Sequence, residues 1–304
     1  MCNHRPAITR ATLYRGMAAA ITLALLAGCG TAFPAVDGKT RVIASAYPFA
    51  WIAKEIGGAH IELRNLTPAG SEPHDVELTP HQVAAVQDTD VMVYERGFQP
   101  SVDNAVDQAG RSSASTVDVA STVSMRRHGG SDHGALDPHV WLDPNRMITI
   151  ADAVTARLID ADPEHAEAYR ARSERVIDEL RRLDSDLRAG LTHCQRSIVV
   201  TSHAAFGYLT DRYGLQQASV AGLDPNNEPT PAQLEKMTRL IRRHSIVTVF
   251  TETRATNAVA ETIAAETGAD VATLNPIETA TLQTSYIDLM RKNLSALHKA
   301  NGCT

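Results

Sequence analysis

Short apolar segments alternate with helical patterns along most of this chain, and this alternation restricts the fold more than any other feature of the sequence. In the first half, runs at 41–45, 61–66 and 91–94 are rich in Val, Ile and Leu and predict buried strands. Segments 48–56 and 79–86 lie between them and have the spacing of helices. Strands that alternate with helices indicate βα units and a largely parallel sheet.

The same alternation returns in the second half of the chain. Strands are predicted at 197–201, 218–220, 246–250 and 270–274, and helices at 206–213, 231–243, 258–267 and 285–298. A polar stretch at 121–135, which contains Ser, Gly and His, interrupts the pattern and predicts a mobile loop.

A long helical segment separates the two halves. Residues 166–191 contain no Pro, and no Gly before Gly190; Asp162-Pro163-Glu164 ahead of them is typical of a helix start. Such a helix is about 40 Å long, enough to join two lobes rigidly, and a solvent-exposed surface helix is the alternative. We therefore predict an α/β protein with two Rossmann-like (βα) lobes, at 41–161 and 192–304, joined by a linker helix at 162–191.

The first 28 residues predict an export signal that does not belong to the fold. A positive region without acidic residues precedes an apolar run at 17–26 that is short for a bilayer span. The positive region contains Arg5, Arg10 and Arg15. Leu26-Ala27-Gly28-Cys29 resembles the bacterial lipobox, whose cysteine is lipidated. We expect a lipoprotein signal peptide at 1–28, lipidation of Cys29 and a tether at 29–40; an ordinary signal peptide is the alternative.

Cysteine use and charge also fit an exported protein. Cys2 leaves with the signal and Cys29 carries lipid, so Cys194 and Cys303 remain in a compartment where disulfides persist. We predict that these two are bonded; two unpaired thiols are the alternative. Loss of the three leader arginines changes the formal charge from −6 to −9, which argues against nucleic-acid binding and mildly favours cations.

Three histidines stand in strongly patterned segments at or near predicted strand ends. His74 lies in a loop after the strand at 61–66, His203 follows the strand at 197–201, and His139 lies in a loop between prolines. Ligands of open α/β sheets bind outside the carboxyl ends of the strands, and neutral imidazole is a common ligand of zinc. The pattern predicts a metal site in the cleft between the lobes, with one position of a tetrahedral shell left open.

Two further histidines, His128 and His133, lie in the polar loop just ahead of His139. We interpret them as a metal-capture loop that hands the ion inward. Asp137 and Asp143 flank His139 and are candidates to orient the imidazole rings, with local turn capping as the alternative.

Several motifs in order resemble the ZnuA-like metal receptors of bacterial ABC importers, the cluster A-I solute-binding proteins. The resemblance runs from about residue 41 to the end of the chain. Its three main motifs are GSEPHD at 70–75, DPHVWLDP at 137–144 and the segment around TSHAAFGY at 198–208. Further similar segments lie at 223–229, which includes Glu228, and at 250–252 and 285–294.

The resemblance implies a two-lobed fold with a rigid connecting helix and a metal site in the cleft. It assigns the first three ligand positions to His74, His139 and His203. Manganese-type relatives have Glu where this chain has His203, so Zn²⁺ is the expected transported ion, with Mn²⁺ as the alternative. It also implies a permease and an ATPase as partners, and a monomeric lipoprotein outside the cytoplasm on the cell membrane.

One position departs from the family pattern. The family commonly has an Asp ligand after the last strand, and this chain has Asn275 there. Asn is neutral and a poorer zinc ligand than a carboxylate. The fourth ligand position therefore stays open among Asn275, Glu278, Glu72 and water.

Two other functional classes compete with a transport receptor. Three histidines and an open position also describe catalytic zinc, and Glu72 is the one plausible general base. The chain has no HExxH or GxSxG motif, so we expect no enzymatic activity. An adhesin or a metal buffer without a transporter is the third class.

Overall fold

The computed structural model describes residues 32–128, 135–226, 229–252 and 257–304. In this part of the chain the strands are β1 (Thr40–Ala44), β2 (Ile61–Asn65), β3 (Val91–Tyr94), β4 (Thr116–Asp118), β5 (Arg126–Arg127), β6 (Leu136–Asp137), β7 (Ile198–Thr201), β8 (Gln216–Ser219), β9 (Thr248–Thr251) and β10 (Asp270–Thr273). They form two parallel four-stranded sheets, in the orders β2-β1-β3-β4 and β10-β9-β7-β8, while β5 and β6 pair antiparallel. The two predicted α/β lobes are confirmed.

Helices cover the sheets and connect them. They are α1 (Tyr47–Gly57), α2 (Pro80–Asp88), α3 (Pro100–Gln108), α4 (Val119–Thr122), α5 (Pro144–Ala161), α6 (Ala166–Gly190), α7 (Gly207–Arg212), α8 (Pro231–Arg243), α9 (Asn257–Thr267) and α10 (Tyr286–Asn301), with 3₁₀ turns at Gly58–His60, Val140–Leu142 and Pro163–His165. Capping boxes at Thr79 and Thr230, each followed by proline, fix the first turns of α2 and α8.

The central strands of the first sheet are apolar on both faces, as expected for a parallel sheet covered by helices on both sides. Val42 and Ala44 of β1 point into the core that contains α1 and α5. Ile43, between them, points into a second core under α2 and α3. Alternation of side chains along one strand thus fills two layers.

The predicted linker helix is α6, which has 25 residues and is therefore about 37 Å long. It packs against α1 and α5 on one side and against α10 on the other. Its start differs from the prediction: a 3₁₀ turn occupies Pro163–His165 before α6 begins, and the Asp162 carboxylate accepts a hydrogen bond from Tyr169 Oη (2.7 Å). The lobe boundaries at 161 and 192 stay a proposal, because α6 contacts helices on both sides of these boundaries in the sequence.

The predicted tether differs from a free linker in the part that the structure describes. Phe33 is 1% exposed, its N–H donates to Asp88, and the Arg64 guanidinium lies 4.0 Å from its ring centroid. The chain is therefore fixed to the first lobe several residues before β1. Other sequence-based predictions, namely the signal segment, Cys29, His133 and Glu228, lie outside the described residues.

Cys194 and Cys303 form a disulfide, as predicted, with their sulfurs 2.04 Å apart. The bond joins the chain just before β7 to the residues just after α10. No helix among the described residues has the length and apolarity that a membrane span requires.

Candidate metal centre

Four side chains from four separate segments converge between the lobes. His203 lies just beyond β7, His74 lies in the loop after β2, and His139 directly precedes a 3₁₀ turn. Glu278 lies between β10 and α10. One potential ligand atom from each lies within 4.8 Å of all the others, and no other such group of His, Cys, Asp and Glu was found among the described residues.

The distances fit a tetrahedral ion. Glu278 Oε1 lies 3.0 Å from His139 Nε2, 3.5 Å from His203 Nε2 and 3.9 Å from His74 Nε2. Ligands 2.0–2.1 Å from a tetrahedral zinc ion are about 3.3 Å apart. These four atoms are buried and yet have no hydrogen-bond partner. The four atoms are therefore available as ligands of one ion.

The candidate ligands are buried, and burial changes their protonation. The side chains of His139 and His203 are 0% exposed, and that of Glu278 is 7% exposed. Burial lowers the pKa of His203, but the Glu252 and Glu278 carboxylates outweigh it and raise the pKa to about 10. Burial raises the pKa of Glu278, but the three imidazoles outweigh it and hold the pKa well below its usual range.

Asp137 orients the ring of His139. Its Oδ1 is 2.8 Å from His139 Nδ1, so a proton on Nδ1 leaves the Nε2 lone pair directed at the centre. Arg126 Nη1 lies 3.3 Å from Asp137 Oδ2, and Tyr208 Oη donates to the Asp137 carbonyl. A Cβ on Gly207 would lie 2.5 Å from Arg126 Nη1 and 2.8 Å from Asp137 Oδ2, so a larger residue here would disturb this pair.

Asp143 has the other predicted role, local capping. Its carboxylate accepts the Asn145 N–H at the start of α5 (2.9 Å) and pairs with Arg146 and Arg212. It therefore starts a helix and does not contact a candidate ligand.

Glu252 orients His203, a role that was not predicted from the sequence. Glu252 Oε1 accepts hydrogen bonds from Ser202 Oγ (2.7 Å) and the His203 N–H (3.2 Å), and it contacts His203 Nδ1 directly. The available signal was position, because Glu252 directly follows β9, the neighbour of β7 in the sheet.

We expect Glu252→Gln to weaken zinc binding about 10–100-fold, the usual cost of losing a partner that orients a metal ligand. The amide keeps the size of the side chain but removes the charge that fixes the His203 ring. Competition with a chelator of known affinity measures the effect. Glu167→Gln, on the exposed start of α6, is the matched control and should bind as the wild type does. An unchanged affinity for Glu252→Gln would show that this contact does not matter.

The structure separates the candidates for the fourth position. Asn275 Oδ1 accepts the N–H of Ile277 (2.7 Å) and stabilises its own turn. Glu72 Oε1 accepts the His74 N–H (3.1 Å) and lies outside the four-residue cluster. Burial, followed by the nearby charge of Glu278, raises the pKa of Glu72. Glu278 is thus the carboxylate that faces the three histidines.

The capture role of His128 and His133 stays a prediction. His133 lies outside the described residues. His128 lies in the wall of a cavity of about 540 Å³ beside Arg126 and Lys236.

Comparison with known proteins gives a consistent family assignment. Residues 42–300 match the family model of ZnuA, described as zinc-uptake complex component A, periplasmic. The chain belongs to this family.

Two curated relatives of this ZnuA-family protein show the extent of the match. The high-affinity zinc uptake system protein ZnuA of Bacillus subtilis is 32% identical over 295 residues, which cover 90% of this chain and 92% of the relative. The zinc-binding lipoprotein AdcA of Streptococcus pneumoniae is 32% identical over 278 residues, or 86% of this chain. The chain spans only 56% of the length of AdcA.

Solved structures confirm the two-lobe fold. Zn(II)-bound AdcA from S. pneumoniae superposes with a TM-score of 0.76 at 31% identity, over 87% of this chain and 58% of AdcA. The laminin-binding protein Lmb of Streptococcus agalactiae gives a TM-score of 0.78 at 27% identity, over 86% of this chain and 99% of Lmb. The family model is described by zinc uptake and the AdcA structure by bound zinc.

Proposed function

We propose that this ZnuA-family protein is an extracytoplasmic receptor that binds one Zn²⁺ through His74, His139, His203 and Glu278 and delivers it to an ABC importer. The convergence of three imidazole nitrogens and one carboxylate oxygen in a buried site carries this proposal. The zinc-named relatives ZnuA and AdcA support it.

The donor set favours zinc over manganese. Zinc is commonly four-coordinate with nitrogen, sulfur and carboxylate ligands, whereas manganese prefers six ligands, mostly oxygen. The carboxylates of Asp137 and Glu252 stand behind His139 and His203 and add negative charge around the ion. These two carboxylates make the imidazoles of His139 and His203 better donors to a borderline metal.

The proposed cycle is capture and delivery without chemical conversion of the ion. A permease would receive the zinc and an ATPase would drive its import. A lipid on Cys29 would hold the receptor, a monomer, at the outer face of the cell membrane. The description of AdcA as a lipoprotein supports the anchor.

A metal titration tests the proposal. Protein freed of metal by a chelator should bind one equivalent of zinc by calorimetry, and more tightly than manganese, as the order of divalent-metal affinities requires. Equal or tighter binding of manganese would reverse the assignment of the metal. Absence of zinc binding would refute the receptor proposal itself.

Adhesion is the second candidate function. Lmb of S. agalactiae is described as a bifunctional protein with adhesin and metal-transporting activity, and it shares the fold over nearly its whole length. Binding of the purified protein to immobilised laminin would support this role, and its absence would leave metal binding as the proposed function.

A further inference from the structure

Glu278 lies on the segment 274–285 between β10 and α10, which we call the strap. The start of the strap is bonded to the second lobe. The Leu274 N–H donates to the carbonyl of Thr251 in β9 (2.9 Å). Asn275 and Asn293 exchange two hydrogen bonds, of 2.8 and 2.7 Å. By sequence, Glu278 is therefore a ligand from the second lobe.

The rest of the strap is held by residues of the first lobe. Trp141 Nε1 donates to the Pro276 carbonyl (2.7 Å), and Tyr47 Oη donates to the Thr284 carbonyl (2.8 Å). Lys54 Nζ donates to a third strap carbonyl, that of Leu282. These contacts join residues more than 130 positions apart in the sequence. They occur on both sides of Glu278.

Of the three donors, Trp141 bonds the carbonyl that is nearest to Glu278 in the sequence. The position of Trp141 is itself fixed. It is 0% exposed and packs edge-on against Phe49 and at a tilt against Phe98, with ring centroids 5.8 and 5.3 Å away. Tyr286 Oη donates to its carbonyl. Trp141 is two residues from His139, and its acceptor Pro276 is two residues from Glu278. A short chain of bonds thus connects the two ligands that lie 3.0 Å apart.

The backbone between Pro276 and Glu278 needs such support. Ile277 has φ 61°, in the left-handed region that β-branched residues rarely adopt. Conformations of this kind persist where surrounding contacts determine them. The contacts here are the Asn275 side chain on the Ile277 N–H and the Trp141 indole on the preceding carbonyl.

We propose that Trp141 is a positioning residue for Glu278, acting through the hydrogen bond from its indole N–H to the Pro276 carbonyl. The inference rests on the proposed function, because Glu278 has a role only if the site binds metal. It makes His74, His139 and Glu278 parts of one framework attached to the first lobe. Of the four ligands, His203 alone is then held by the second lobe, through its contact with Glu252.

A double-mutant cycle tests this inference. Trp141→Phe keeps an aromatic ring against Phe49 and Phe98 but removes the donor, and we expect it to weaken zinc binding about tenfold. In the Glu278→Gln background the same substitution should change the affinity less than about twofold, because the carboxylate that it positions is already gone. Equal losses in both backgrounds would overturn the proposal, as would unchanged affinity of the single variant.

Two controls separate positioning from general damage. Tyr169→Phe removes a buried hydrogen-bond donor at the start of the linker helix, where the hydroxyl bonds Asp162 (2.7 Å), and should leave zinc affinity unchanged. The visible absorption of bound Co²⁺, which depends on the ligand set, should shift in both Trp141→Phe and Glu278→Gln but not in Tyr169→Phe. The same absorption in Trp141→Phe as in the wild type would contradict the inference.

A second variant keeps the test decisive if Trp141→Phe does not fold. Tyr47→Phe removes only the hydroxyl that donates to Thr284, and it should show the same lack of additivity with Glu278→Gln. Additive losses for this pair would overturn the inference. Absence of zinc binding by the wild-type protein would refute the proposed function. Additive losses in a protein that does bind zinc would refute only this inference.

Discussion

Replacement of His139 by alanine should lower zinc affinity by more than about a hundredfold, beyond the usual effect of losing a residue that only orients a ligand. His139 supplies a nitrogen at the centre of the site and is the imidazole closest to Glu278. Its loss also leaves the buried carboxylates of Asp137 and Glu278 without the group between them, which a buried charge tolerates poorly. Calorimetry or competition with a zinc chelator measures the change.

The matched control for this substitution is His165→Ala. His165 pairs with Asp162 at the start of the linker helix and has no contact with the four-residue cluster. Its affinity for zinc should equal that of the wild type. If His139→Ala also bound zinc as the wild type does, with circular dichroism showing an intact fold, the site assignment would be wrong.

Removal of the disulfide should have the second large effect, on stability. Cys194 and Cys303 close a loop over a sequence separation of 109 residues, so the bond strongly restricts the unfolded chain. We expect the double variant Cys194→Ser/Cys303→Ser to lose about 2–5 kcal/mol of the free energy of unfolding. Urea denaturation followed by circular dichroism measures the loss.

Two comparisons control for effects of the serine substitutions themselves. Wild-type protein in excess reductant should unfold at the same urea concentration as the double variant. Zinc affinity of the folded double variant should stay within about twofold of the wild type, because the bond lies outside the metal cluster. Unchanged stability of the double variant would refute the predicted contribution.

Most of the βα pattern was predictable from local sequence. The bounds of β3 and α8 agree with the prediction, the start of the linker helix α6 is shifted by four residues, and the other predicted elements are shifted by three residues at most. The missed elements include the helices α3, α4 and α5 and the short strands β4, β5 and β6. The signal for α5 was present: Asp143 and Pro144 start it, and Met147, Ile150 and Val154 have helical spacing.

The predicted mobile loop at 121–135 shows why local composition was insufficient. Arg126 and Arg127 form β5, whose partner β6 begins at the exposed Leu136. The pairing positions Arg126, which contacts both Asp137 and Asp211. A strand of two residues has no pattern of its own and forms only where a partner strand is present.

The sequence by itself identified the three histidines as candidate metal ligands. It also predicted the two α/β lobes and the bond between the two cysteines. These follow from residue type, from spacing along the chain and from position at predicted strand ends. Only the tertiary structure decided the fourth group of the cluster, the role of Glu252 and the attachment of the strap to the first lobe. The physical reason is that these depend on backbone direction and on contacts between distant segments. The left-handed turn at Ile277 directs Glu278, and not Asn275, toward the histidines.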